Sequence, residues 1–162
     1  MMKMTHFAGA RFTALLMGGS LLASTAAAQA AELDVHNAWV ALAPPGAHAT
    51  AAFMELHNPG DEAVDVVSAD AEGFKAVELH ESINQDGMHR MIEQDRITVP
   101  AGETVVLAPG GYHVMLIGPE RSLTEGEMVV IDLGLGDGSR LEVSAPVTPR
   151  GKAMGGQHNG MH

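Results

Sequence analysis

Two histidines and two methionines are the residues of this chain whose types and spacing best suit metal chemistry. His80, Met91, His113 and Met115 form the pattern His-x10-Met-x21-His-x-Met. Imidazole nitrogen and thioether sulfur are neutral, soft ligands, which suit Cu(I) better than Mg, Ca or Mn, because those ions prefer oxygen. The chain contains no cysteine that could supply a thiolate. The pattern therefore predicts a Cu(I) site and a protein that carries copper.

The same spacing says which of these side chains share a face. His113 and Met115 are two residues apart, and side chains of a strand alternate with period two. His80 and Met91 flank the turn signal Gln85-Asp86-Gly87. A two-residue loop made of either the first two or the last two of these turn residues places His80 and Met91 on one side, whereas a three-residue loop separates them. Spacing alone does not bring the two pairs together.

Short apolar or alternating runs separated by turn residues recur along the chain, which is typical of an antiparallel β-sandwich or barrel. No segment has a long helical period. Met54 and Met128 lie in apolar runs without a histidine at matching spacing, so we expect both in the core. The predicted strands are Leu33–Val40, Ala51–His57, Val64–Ser68, Ala76–Ser82, Met88–Ile92, Ile97–Val99, Thr104–Leu107, His113–Ile117, Met128–Leu135 and Leu141–Val147.

Longer stretches around the four residues resemble the periplasmic PCu(A)C copper chaperone family. The motifs are VELHE around His80, DGMHRM ending at Met91 and PGGYHVML around His113, and their spacing matches the family without a gap. Family members often carry another methionine just after the first histidine, where this chain has Glu81-Ser82-Ile83. The likeness also covers Ala43–Gly46, Met54–Gly60, Ile97–Gly102 and Val143–Val147.

The resemblance implies a cupredoxin-like antiparallel β-sandwich in which His80, Met91, His113 and Met115 converge as the Cu(I) ligands of one exposed site at an end of the sandwich. It also implies delivery of Cu(I) to the Cu-A or Cu-B centre of a terminal oxidase, through an oxidase subunit or an Sco-type thiol protein. Copper sequestration by a periplasmic buffer that confers copper tolerance needs the same ligands, and it stays an alternative.

Residues 1–30 have the pattern of a cleaved signal peptide. Lys3 and Arg11 precede an apolar, glycine-containing run, Phe12–Ala23, and small residues then lead to Ala28-Gln29-Ala30, an A-x-A cleavage site. The apolar run is shorter than the roughly 20 residues of a membrane-spanning helix. We therefore expect a periplasmic, monomeric protein with no membrane span and one copper-binding domain over residues 31–149.

Composition excludes several other functions. The predicted cleavage removes two of the nine basic residues and none of the twenty acidic ones, which leaves a formal charge of −13 and argues against nucleic acid as a partner. A blue-copper electron carrier needs a cysteine ligand, which the chain lacks. A copper oxygenase of the N-terminal histidine type is disfavoured because the predicted start is Ala31. No motif groups a nucleophile, a base and an orienting acid, so we do not expect an enzyme.

The C-terminal segment, residues 150–162, is Gly-rich and polar, and its low apolar content predicts a flexible tail. It contains Met154, His158, Met161 and His162. Clustered histidine and methionine side chains can bind copper, and some relatives have C-terminal extensions of this kind implicated in Cu(II) binding. An accessory Cu(II) site and a plain solvated end are both open.

Overall fold

The structure is a computed structural model that describes residues 32–155. The predicted signal peptide and residues 156–162 of the predicted tail lie outside this part of the chain. Within it, ten strands are followed by one short helix. The elements are β1 (Asp34–Ala41), β2 (Ala49–His57), β3 (Val64–Asp70), β4 (Phe74–Gln85), β5 (Met88–Glu93), β6 (Ile97–Val99), β7 (Thr104–Leu107), β8 (Tyr112–Pro119), β9 (Met128–Leu135), β10 (Arg140–Thr148) and α1 (Arg150–Gly155).

The predicted all-β fold is confirmed, and each predicted run forms a strand. Strands β6, β7 and β9 have the bounds that the sequence pattern indicates. Strand β4 differs most, because it continues through the polar residues up to Gln85 as one arm of a hairpin with β5.

The strands lie in the order β5-β4-β8-β2-β1-β10-β9-β3-β6, and β7 pairs with β2 beyond the end of β8. Among the described strands, every pairing is antiparallel except that of β1 with β10, where Val40 lies beside Val147. This parallel pair connects the two halves of the sandwich. Local sequence patterns carry no signal for such a long-range pairing, and the prediction of a purely antiparallel sandwich missed it.

The main core lies between the two halves. In β9 the inward residues Val129, Ile131, Leu133 and Leu135 are at most 6% exposed, and they alternate with outward ones. Strands β4 and β8 supply apolar residues to the same cluster from the other half. Each such side chain contributes about 1.5–3 kcal/mol on burial, so the core can hold the fold without disulfides.

The two methionines expected in the core behave differently. Met54 is 1% exposed, which confirms the prediction. Met128 is 54% exposed, so the prediction for it was wrong. The physical reason is strand parity: Val129 faces the core, and Met128 therefore faces solvent.

The segment predicted as a flexible tail begins with α1. The carbonyl of Pro149 accepts hydrogen bonds from the backbone N–H groups of Lys152 and Ala153, at 2.9 and 3.2 Å. Lys152 Nζ lies 2.5 Å from Glu125 Oε1. Sequence periodicity missed this helix because it is too short to show a hydrophobic period. Between residues 32 and 155 the chain has no helix with the length and apolar content to cross a membrane.

Candidate metal centre

The β4–β5 hairpin positions His80 and Met91. Its loop is Asp86-Gly87, and both loop residues have positive φ, 55° and 76°. Positive φ at both positions defines a type I′ turn, whose twist matches that of paired strands and which favours an Asp-Gly sequence. The pairing sets Met91 opposite Ser82, and therefore diagonal to His80 on the same face. The loop is thus one of the two alternatives that the sequence left open.

A tight turn sets His113 and Met115 at the start of β8. The Gly111 N–H donates to the carbonyl of Ala108 at 3.0 Å, and Gly110 has a φ of 90°. With proline in the second position, this is the arrangement of a type II turn, which needs a residue able to adopt positive φ. Gly110 supplies this residue.

Strand register brings the two pairs together. His80 lies directly opposite His113, and the centroids of their rings are 5.8 Å apart. Because side chains alternate along each strand, one face of three adjacent strands carries all four residues, His80, Met91, His113 and Met115. We call this surface the metal face. The intervening residues Leu79 and Val114 belong to the main core, so this face is the outer one.

Exposure differs sharply across the face. His113 is 3% exposed, the side chain of His80 is 14% exposed, and Met91 is 62% exposed. Met115 is half-buried. The resemblance implied one exposed site at an end of the sandwich. The four residues lie on the outer face of a sheet, beside the start of β8 where its pairing with β4 ends, and this face opens to solvent on the Met91 side.

Each of the two imidazoles has one nitrogen engaged. His113 Nδ1 lies 3.1 Å from the Gly111 carbonyl, and because a carbonyl only accepts, Nδ1 carries the hydrogen. His80 Nε2 lies 2.8 Å from Glu78 Oε2 and donates to that carboxylate. The other nitrogens, His113 Nε2 and His80 Nδ1, are buried and have no hydrogen-bond partner within residues 32–155.

Unpartnered buried polar atoms are uncommon and unfavourable, and each one calls for an explanation. Here both are imidazole nitrogens whose lone pairs are available on a face that also carries two thioethers. No three His, Asp or Glu side chains gather into a metal-binding group anywhere in residues 32–155. The donor set therefore fits a soft ion such as Cu(I) and not an oxygen-loving one.

Burial lowers the pKa of His113 below its ordinary value, and nearby His80 lowers this pKa further. The hydrogen bond to the Gly111 carbonyl acts in the opposite direction and offsets part of the shift. A lowered pKa keeps the imidazole neutral to lower pH. The neutral form is the one that can donate a lone pair to a metal.

An aromatic row supports the buried side of the face. The rings of Trp39 and Phe53 have centroids 4.7 Å apart, and the Phe53 ring lies 6.2 Å from that of His113. With Ala41 and Ala51 these residues form a small apolar cluster, separate from the main core. His113 is therefore held on one side by packing and on the other by a backbone hydrogen bond.

Sequence reasoning missed Glu78, which holds His80. The signal was available, because residues two apart in a strand share a face. His89 lies two residues from Met91 on β5, so it shares the face of Met91, and it is exposed. Of the tail residues, His158, Met161 and His162 lie outside the described residues, and only the backbone of Met154 is described, within α1.

Comparison with known proteins identifies the family. Residues 33–147 match the family described as "Putative lipoprotein LpqE-like". The chain belongs to the LpqE-like family. A relative, "Putative lipoprotein Lxx21020" of Leifsonia xyli subsp. xyli, is 37% identical over 126 residues, which are 77% of this chain and 75% of the relative. RP573 of Rickettsia prowazekii is 25% identical over 99 residues, 60% of this chain and 55% of that protein.

Solved structures similar to this LpqE-like protein are PCuAC domains and a protein studied with and without Cu(I). Apo-DR1885 from Deinococcus radiodurans is 34% identical, with a TM-score of 0.58, and the match covers 91% of this chain and 97% of that one. Its Cu(I) form is also 34% identical, with a TM-score of 0.58 and coverage of 79% and 86%. The copper-bound PCuAC domain from PmoF2 shares the fold at 20% identity, with a TM-score of 0.62 and coverage of 75% and 97%. The predicted resemblance and the cupredoxin-like sandwich are both confirmed.

Proposed function

We propose that this LpqE-like protein is a Cu(I) chaperone that binds one ion through His80, Met91, His113 and Met115. The observation that carries the proposal is the pair of buried imidazole nitrogens, His80 Nδ1 and His113 Nε2, that have no partner among the described residues and share a face with both thioethers. The neutral donor set matches the preference of Cu(I) for soft ligands.

Similarity to copper-binding proteins supports copper over another soft ion. DR1885, at 34% identity, has a Cu(I) form, and the PCuAC domain of PmoF2 has a copper-bound form on the same fold. The lipoprotein descriptions of the family and of the Leifsonia relative support an envelope location. We place the protein in the periplasm, after removal of residues 1–30, as a monomer.

Unequal exposure suits an ion that is cargo. An accepting protein can approach Met91, which is 62% exposed, while His113 at 3% exposure keeps its hold. Cu(I) has little geometric demand, so mixed sets of ligands from both proteins need not be strained. Transfer is then an exchange of ligands, and it needs no catalytic group.

We propose delivery to the Cu-A or Cu-B centre of a terminal oxidase, with an oxidase subunit or an Sco-type protein as the acceptor. Copper buffering uses the same ligands, so the phenotype of a deletion strain separates the two. Loss of oxidase assembly under limiting copper, with copper tolerance unchanged, supports delivery. Loss of tolerance with normal oxidase assembly supports buffering instead.

Competition with a Cu(I) chelator tests the four ligands directly. We expect each of His80→Ala, Met91→Ala, His113→Ala and Met115→Ala to weaken Cu(I) binding. Met128→Ala is a matched control for Met91, because Met128 is 54% exposed and lies on β9, away from the metal face. His57→Ala on β2 is the histidine control. Unchanged affinity in any of the four variants removes that residue from the ligand set.

For the tail, we propose an accessory Cu(II) site that uses Met154, His158, Met161 and His162 and is independent of the Cu(I) site. A chelate on a segment that the sequence predicts to be flexible loses conformational entropy on binding, so its affinity should be lower than that of a preformed site. Truncation after Pro149 should remove one equivalent of bound Cu(II) and leave the Cu(I) titration unchanged. Undiminished Cu(II) binding would identify the tail as a solvated end.

A further inference from the structure

The two histidines of the metal face are oriented by different kinds of acceptor. His113 donates Nδ1–H to the Gly111 carbonyl, and this carbonyl also accepts from the backbone N–H of Ser82 at 2.9 Å. His80 donates Nε2–H to the carboxylate of Glu78. A backbone acceptor persists whatever the side chains are, whereas the acceptor for His80 depends on one residue.

We propose that Glu78 is a positioning residue, which holds His80 as the Nε2–H tautomer and so directs Nδ1 to the Cu(I) site. This inference rests on the proposed function and names a residue outside the ligand set. A carboxylate offers no hydrogen, so a 2.8 Å contact with it assigns the proton to Nε2 and the lone pair to Nδ1. His80 Nδ1 is also the atom that is buried without a partner.

The position of Glu78 suits this task. It is two residues from His80 on β4, on the same face, and directly opposite Met115 on β8. Its side chain is 33% exposed, so the contact with the imidazole is only partly open to competing water. A carboxylate that holds the second nitrogen of a metal-binding histidine fixes the ring and raises the basicity of the ligand.

The consequence is an asymmetric pair of imidazole ligands. His80 binds through Nδ1 and His113 through Nε2, because the opposite nitrogen of each ring is already a donor. Glu78 itself is not a ligand, since its Oε2 accepts from His80 and Cu(I) prefers softer donors than carboxylate oxygen. Without Glu78, His80 can turn its ring or change tautomer, and the site loses preorganisation.

Long-range proton–nitrogen NMR spectra of the copper-free protein, at a pH above the imidazole range, test the tautomers first. We expect Nε2–H for His80 and Nδ1–H for His113. In the diamagnetic Cu(I) complex, the nitrogen shifts should place the metal on His80 Nδ1. A His80 that carries its proton on Nδ1 in the copper-free protein, or binds Cu(I) through Nε2, overturns the proposal.

Variants then measure the effect on affinity. Glu78→Leu should weaken Cu(I) binding by about 10–100-fold, the usual cost of losing an outer partner of a metal ligand. Glu78→Gln keeps a carbonyl acceptor and should restore most of the affinity and the Nε2–H tautomer. The matched control is Glu93→Leu, because Glu93 lies directly opposite His80 on β5 and its removal deletes the same charge beside the site. An equal loss in Glu93→Leu would mean that charge, not positioning, is responsible.

Failure of the proposed function has a different signature. If the wild-type protein does not bind Cu(I), the chaperone proposal fails, while the spectrum of the copper-free protein still decides whether Glu78 fixes the tautomer. If Glu78→Leu does not fold, Glu78→Gln and the wild-type spectra decide the question by the same criteria.

Discussion

The two outer strands of the metal face hold the proposed Cu(I) ligands in contrasting ways. On β8, His113 is 3% exposed, packs against Phe53 and donates to a backbone carbonyl. On β5, Met91 is 62% exposed and belongs to an edge strand in which every residue is exposed. One half of the face is part of the rigid sheet, and the other half is the arm of a hairpin.

Strand pairing explains the difference. Pairing of β4 with β8 ends at Glu81 and Tyr112; within residues 32–155, the backbone hydrogen bonds of the hairpin beyond that point join its own two strands, apart from the bond from Ser82 to Gly111. Regions with few buried contacts open at lower free energy than a core strand does. A site with one buried half and one exposed half can keep an ion and still admit another protein's ligands.

The strongest test of the buried half is His113→Leu. We expect Cu(I) affinity to fall by more than about a hundredfold, because losing a ligand should exceed the 10–100-fold loss of an outer partner. The copper-free variant should nevertheless be more stable than the wild type, since an unpartnered buried polar atom costs about 1–3 kcal/mol. Chelator competition and thermal unfolding measure the two effects. A destabilised variant with normal affinity would contradict both expectations.

Met91→Ala tests the exposed half. We expect a loss of about tenfold in Cu(I) affinity, or about 1.4 kcal/mol, expressed mainly as faster release of the ion. Stability should stay within about 0.5 kcal/mol of the wild type, because the side chain is exposed. Stopped-flow transfer to a chelator gives the release rate. If release is as slow as in the wild type, Met91 is not the ligand that opens first.

A substitution in the hairpin loop should change Cu(I) affinity less than Met91→Ala does. Gly87 has a φ of 76° and open space where a Cβ would lie, so Gly87→Ala should cost about 1–2 kcal/mol from backbone strain alone. Cu(I) affinity should fall by less than in Met91→Ala. Gly102→Ala is the matched control, because Gly102 has a φ of 70° and equally open surroundings in another turn. Equal affinity in the two variants would show that the hairpin does not position a ligand.

The smallest expected effect is on the pH dependence of the copper-free protein. Burial lowers the pKa of His113 in the folded state, whereas the unfolded chain takes up the proton near the ordinary value of about 6.5. Between these two pKa values the unfolded state binds more protons, so His113 makes stability fall as pH falls through that window. Above the window its contribution is constant. Urea unfolding at several pH values should show a smaller decline in His113→Leu than in the wild type.

Much of the fold followed from the sequence because the strands are short, apolar and clearly punctuated. Strands β6, β7 and β9 kept their predicted bounds. The parallel pairing of β1 with β10 was missed because it joins segments far apart in the chain. Met128 was misplaced because the apolar character of its run concealed the parity that turns its side chain outward.

For the metal face, the sequence supplied the residue types and the parity within each strand. Whether His80 and Met91 share a face depended on which residues form the loop of the hairpin, and in the structure the loop is Asp86-Gly87. Convergence of the two pairs required the register of β4 with β8, which no spacing reports. The sequence also did not predict the tautomers of His80 and His113, because these depend on the hydrogen-bond acceptors Glu78 and Gly111.

The aromatic row also gives the protein an optical reporter. Trp39 is the sole tryptophan of the chain, and only the ring of Phe53 separates it from His113. Its emission therefore comes from a single position beside the metal face. A change in fluorescence on addition of Cu(I), excited where tryptophan alone absorbs, would follow occupancy of the site in real time, without a label and without a second tryptophan to disentangle.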